Sequence, residues 1–188
     1  MLVLASQSPR RRDILRCAGL SPTVRVSGVA EQRLSGEGPR HYVRRLARSK
    51  AEAVQRSDGE VVLGADTIVV LDNLILEKPA DADDARRMLS LLSGREHQVI
   101  TGICLLHDEG VIEDAAETSV SFARLSQGEI ADYVDSGEPM DKAGAYGIQG
   151  RASRFIHRVE GCYFNVVGLP IAMVYKHLKR IGFCHIAG

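Results

Sequence analysis

A chain of 188 residues, 45% of them hydrophobic, can bury one ordinary core or two small lobes sharing one. Its 24 basic and 24 acidic side chains leave a formal net charge of zero. That excludes a whole-molecule field for nucleic acid or an anionic membrane, so a local cluster must recognise any anion. No apolar run approaches a membrane span, and the first apolar stretch is too short for a signal peptide. Cys17, Cys104, Cys162 and Cys184 lack the paired spacing of a zinc or redox motif, so a cytoplasmic protein with reduced thiols is expected.

The opening MLVLASQSPRRRDIL reads as a strand over residues 2–5, a serine turn, and a helix over residues 9–18. Ser8 serves as N-cap, Pro9 as the first helical residue, and Gly19 closes the helix. Arg10, Arg11 and Arg12 crowd a helix end that is already positive, which suits a bound anion. An extended piece follows near Thr23–Val26, then a helix over 39–56, then the apolar strand VVLGADTIVVL. Asp72-Asn73 makes a two-residue turn and LILEKP returns as the hairpin partner. Asp81 caps a helix with Ala85, Met88, Leu89 and Leu92 at helical spacing, ended near Gly94.

Two extended runs come next, QVITGICLL and ETSVSFARL, split by HDEG. Ser126 and Glu129 form a capping box for IADYV. The glycine-rich EPMDKAGAYGIQG is a loop, SRFIHRV and CYFNVV are paired strands turning at Glu160-Gly161, and Pro170 opens a last helix that Gly182 ends. Hairpins beside crossover helices predict an α/β chain with a mixed sheet, without repeats or linkers, and one domain over residues 1–188.

Polar residues inside apolar elements are the chemical signal. Asp66 interrupts a strand expected to be buried on both faces, where an unpaired carboxylate would cost several kcal/mol, so it needs a cation or a metal. It could otherwise stabilise a bend. Pairing Leu71 with Leu74 and counting back sets Thr67 opposite Lys78, and a bulge or strand end near Gly64-Ala65 would let Asp66 join them. Lys50 falls on the apolar stripe of its helix with Val43, Leu46 and Ala47; it either snorkels or points at an anion. Glu31 lies in a polar loop. Gln149, in the glycine-rich loop, carries a donor and an acceptor suited to a base edge. The six histidines show no metal-ligand spacing.

Together SQSPRRRDIL, GADTIVVLDNLILEKP, SGREHQVITG, DKAGAYGIQG and VVGLPI resemble, in order and over essentially the whole chain, the Maf nucleotide pyrophosphatases. Asp13 stands where that family usually has glutamate. The resemblance implies a mixed twisted sheet flanked by helices, related to the inosine triphosphatases, with a central substrate cleft. It also implies a hydrolase that cuts nucleoside triphosphates between the α and β phosphates, using Mg²⁺ or Mn²⁺. The form of DKAGAYGIQG is similar to that of the branch acting on dTTP and UTP, including modified pyrimidine nucleotides. The 7-methyl-GTP branch carries a glutamate-bearing loop and is the alternative substrate reading, and a non-catalytic nucleotide-binding module is the alternative of another class.

By position, Asp66 matches the general base, and Glu31 with Asp66 the metal ligands. Arg10, Thr67 and Gln149 match positions tied to substrate choice. Ser6, Ser8, Arg11, Lys50 and Lys78 match the phosphate-binding lining. Arg10 and Arg11 suit bidentate grip on phosphate, whereas Arg12 has no assigned role. A homodimer with no nucleic-acid or membrane partner is expected.

Overall fold

The computed structural model describes residues 1–26 and 28–183. In chain order these form β1 (Leu2–Ala5), α1 (Pro9–Cys17), β2 (Thr23–Val24), α2 (Pro39–Glu52), β3 (Val61–Leu71), β4 (Leu74–Leu76), α3 (Ala82–Leu92), β5 (Glu96–His107), β6 (Gly110–Phe122), α4 (Gln127–Asp135), β7 (Ile156–Glu160), α5 (Tyr163–Val167) and α6 (Ile171–Arg180). Single 3₁₀ turns cover Glu138–Asp141, Ala143–Ala145 and Arg151–Phe155. Among the described residues the strands join in the order β2-β1-β3-β5-β6-β7, with β4 on β3. β1 runs parallel to β2 and β3, while β3–β4 and β6–β7 are antiparallel. The mixed sheet flanked by helices is as expected.

Two compact units divide the chain: residues 1–66, 101–116 and 168–188 in the first, and 67–100 and 117–167 in the second. β3, β5 and β6 contribute residues to both.

In the first unit α2 lies against β3 and β5, and two glycines make this possible. A Cβ at Gly64 would stand 2.0 Å from the Ala47 carbonyl oxygen, and one at Gly102 would stand 2.4 Å from the Val43 carbonyl. The helix backbone therefore rests directly on the strands. Ala47, Ala51 and Val54 pack with Val3, Ala5, Val62 and Cys104. Gly64 thus serves close packing and not the expected bulge: β3 is continuous from Val61 to Leu71. α2 ends at Glu52, four residues before the expected end. Cys17 is exposed and Cys104 buried, both as free thiols; burial pushes the Cys104 thiol up to about 12. Cys184 lies outside the described residues.

The second unit packs α3 and α4 around Val69, Leu71, Leu76, Phe122, Tyr133, Tyr146 and Phe155. Asp72 and Asn73 both take positive φ (46° and 70°), the backbone a two-residue hairpin turn demands. β4 pairs from Leu74 to Leu76 only. Continued register would set Thr67 opposite Lys78. The Glu77 carbonyl accepts the Gly144 N–H at 3.0 Å, which ties the end of the hairpin to the glycine-rich loop. The predicted strand CYFNVV is the helix α5, and the first three residues of SRFIHRV, Ser153 to Phe155, belong to the 3₁₀ turn Arg151–Phe155. Asn165 sets this segment apart from a strand. Buried, Asn165 donates through Nδ2 to the Val99 carbonyl (2.9 Å) and to Thr118 Oγ1 (3.0 Å). Thr118 Oγ1 also accepts the Cys162 N–H at 3.1 Å, which fixes the start of the turn. β6 begins at Gly110, seven residues before the expected ETSVSFARL strand.

His97 sits in this core at 2% exposure, edge-on to Phe122, with Nε2 2.8 Å from the Tyr146 hydroxyl. Burial pushes its imidazole down to about 4, below the ordinary 6.5. The unfolded chain therefore takes up this proton first as pH falls. His97 should contribute its full stability above pH 6.5 and lose it, on the order of 3 kcal/mol, as pH falls toward 4. Denaturant melts at pH 7.5 and 4.5 should show this loss, and His97→Phe should flatten the dependence. An equal pH slope in the variant would refute it.

Candidate active site

The register of the first unit brings its polar groups together. Ala5 pairs with Gly64 across parallel strands, so the chain leaving β1 and the middle of β3 emerge side by side. Ligand sites in α/β sheets form at such carboxyl ends of parallel strands. Ser6 and Ser8 follow β1 directly. The Ser8 side chain accepts the Arg11 N–H as N-cap, and the Ser8 N–H donates to Ser6 Oγ at 3.2 Å.

Gly64 and Asp66 are two residues apart and so share a face of β3. Since α2 rests on Gly64 through Ala47 and Ala51, Asp66 points at the same helix. There it meets Lys50, whose Nζ lies 2.5 Å from Asp66 Oδ1 and 2.6 Å from Glu31 Oε1. Lys50 and Asp66 are both buried, at 8% and 6% exposure, whereas Glu31 is exposed. The cation required by a buried aspartate is therefore Lys50, contributed by α2. The sequence showed Lys50 on the wrong side of an amphipathic helix but could not say which carboxylate it faced.

Arg11 is also buried, and its guanidinium bonds inward. Nε donates to the Gly168 carbonyl (2.8 Å), and Nη1 to Ser6 Oγ (3.1 Å) and to the Ala65 carbonyl (2.9 Å). Burial lowers its pKa below the ordinary arginine value, with Asp66 and Glu31 pulling the other way. Arg11 thus ties the end of β1, the residue before Asp66 and the segment before α6 into one frame. Arg10 is half-buried at the first turn of α1, and Arg12 pairs with Asp13 at 3.5 Å.

Sequence reasoning missed the strap that holds the Glu31 loop. Glu37, buried before α2, accepts from Arg45 Nε and Nη2, each at 2.7 Å. Arg45 Nη2 also reaches the Gln32 carbonyl (2.9 Å), next to Glu31. The Arg45 bonds, with help from the Leu34 N–H, hold the Glu37 carboxyl down at about 2, against the opposing effect of burial. The eight-residue spacing crosses a helix start, so neither helical nor strand periodicity reveals it.

Thr67, Lys78 and Gln149 belong to the second unit. Thr67 is half-buried on β3, while Lys78 and Gln149 are exposed. The loop bearing Gln149 is wound on Glu138. Glu138 Oε1 accepts from the Tyr133 hydroxyl (2.9 Å), Oε2 accepts the Arg151 N–H (3.0 Å), and the Gly147 N–H donates to the Tyr133 oxygen (3.2 Å). A Cβ at Gly150 would lie 2.0 Å from Glu138 Oε1. That glycine lets the backbone close over the carboxylate.

The profile of the family described as Maf-like protein matches residues 1–181. The chain is 53% identical over 182 residues to a protein of Koribacter versatilis (strain Ellin345) named dTTP/UTP pyrophosphatase, covering 96% of this chain and 94% of that protein. A protein of Anaeromyxobacter dehalogenans (strain 2CP-C) with the same name is 54% identical over 186 residues, covering 97% and 94%. Among solved structures, the Staphylococcus aureus Ham1 protein shares the fold at a TM-score of 0.52 with 14% identity, covering 96% of this chain and 98% of that one.

Proposed function

The chain belongs to the Maf-like protein family, and from that premise we propose that it is a nucleoside triphosphate pyrophosphatase that hydrolyses dTTP and UTP to the monophosphate and pyrophosphate. The observation carrying this is identity above one half, over nearly the full length of both chains, to relatives named for that activity. The site chemistry agrees with it. Asp66 is the proposed general base: it accepts a proton from water as the water oxygen attacks phosphorus and the α–β anhydride oxygen departs with pyrophosphate. Lys50 and Arg10 supply positive charge to the polyanion, and Ser6 and Ser8 line it. Arg11 is proposed as a phosphate contact too, beside Asp66 through its bonds to Ser6 and the Ala65 carbonyl. Lys78 is proposed as a further phosphate contact, and Thr67 and Gln149, with Arg10, as the positions that choose the base. Phosphoryl transfer needs positioning and charge neutralisation more than covalent help from the protein.

Glu31 and Asp66 fit the proposed Mg²⁺ or Mn²⁺, because their hard carboxylate oxygens already converge on one cation, Lys50 Nζ. When bound, such an ion would neutralise phosphate charge and favour ionisation of the attacking water. A cytoplasmic homodimer is part of the same proposal. Among the described residues no helix is long and apolar enough to cross a membrane.

Purified protein incubated with Mg²⁺ and a panel of triphosphates should release pyrophosphate from dTTP and UTP in preference to purine nucleotides. Release from 7-methyl-GTP but not from dTTP or UTP would move the chain to the other branch. Salt-sensitive nucleic-acid binding without hydrolysis would favour a non-catalytic module. Light scattering should give twice the chain mass.

A further inference from the structure

The two carboxylates proposed for the metal already share a cation that belongs to the chain. Lys50 Nζ stands at charge-assisted hydrogen-bond distance from Glu31 Oε1 (2.6 Å) and Asp66 Oδ1 (2.5 Å). A divalent ion held by the same two carboxylates would compete with the ammonium for their oxygens. We propose that Lys50 is a resident counter-ion that holds Glu31 and Asp66 together and is displaced when the divalent ion binds, which frees its ammonium for the substrate phosphates. This rests on the metal reading above.

The architecture suits an exchange of side chains over a fixed backbone. Gly64 and Gly102 seat α2 against the strands, which sets the distance between the Lys50 and Asp66 backbones. Arg45 holds Glu37 and the Gln32 carbonyl, which anchors the Glu31 loop independently of Lys50. Only the flexible four-carbon stem of Lys50 has to swing. With the ammonium in place the carboxylates do not face each other as bare like charges. Once it leaves, both carboxylates would be available to hold the ion. An anionic phosphate that draws Lys50 away also removes the competitor, so nucleotide and metal should bind cooperatively by this route.

The test is Mn²⁺ binding to nucleotide-free protein, followed by the paramagnetic resonance of free Mn²⁺. Lys50→Met keeps most of the stem without the charge and should bind Mn²⁺ on the order of tenfold more tightly than wild type. Glu31→Gln and Asp66→Asn should bind it much more weakly. Affinity in Lys50→Met equal to or below wild type, with both carboxylate variants weakened, would overturn the exchange and leave the metal site standing. Carboxylate variants that bind like wild type would overturn the metal reading itself. If Lys50→Met does not fold, the wild-type protein still decides the matter. The ¹⁵N-labelled Lys50 ammonium signal should move on titration with Mg²⁺, and an unchanged signal at saturation would sink the proposal.

Discussion

Asp66→Asn is expected to lower turnover of dTTP and UTP by about a thousandfold, within the range that a positioned general base contributes. The amide is nearly the same size and keeps one oxygen, so nucleotide affinity measured without divalent ion should change little. Neither of its atoms can accept the proton of the attacking water. The variant also weakens one of the two ion pairs on a buried ammonium, but Lys50 retains Glu31. The fold should therefore survive, with a modest loss of stability. Pyrophosphate release at saturating nucleotide, together with a direct nucleotide titration, separates the outcomes. Turnover within tenfold of wild type would remove Asp66 as the base. A fall in kcat/KM caused only by lost binding would recast it as a binding residue.

Gly64→Ala should be the most damaging small substitution in the first unit. Its methyl group would stand 2.0 Å from the Ala47 carbonyl oxygen and 2.9 Å from the Ala51 nitrogen, both backbone atoms of α2. No rotamer relieves such a contact, so the helix itself must move away. A cost of about 4 kcal/mol follows, above the usual overpacking range because the obstacle is backbone, with a melting temperature lower by about 10 °C. The shift would also withdraw Lys50 from Asp66, so activity should fall even where the protein stays folded. Gly128→Ala is the control. It lies in α4 with nothing within 4 Å of the new methyl group, and a helical glycine gains from alanine by roughly 0.5–1 kcal/mol. Equal melting temperatures for the two variants would contradict the packing argument.

Local signals were legible wherever the answer depends on a few consecutive residues. Ser8 as N-cap, the Asp81 cap, the Ser126/Glu129 capping box and the Asp72-Asn73 turn are all present, because each is a backbone hydrogen-bonding need met within four residues. The buried Asp66 was legible as an anomaly, since burial and charge conflict in any fold. The motifs, which no physical periodicity explains, carried the family.

Tertiary structure decided the rest. It made α5 a helix, not the expected strand, with Asn165 bonded to residues 47 and 66 positions away. It brought the Gly168 and Ala65 carbonyls, 157 and 54 positions away, to the Arg11 guanidinium. It also joined Lys50, Asp66 and Glu31. Composition and spacing reveal that a charge needs a partner, while the choice of partner depends on which backbones approach. Here that choice was made by two glycines that let a helix rest on the strands.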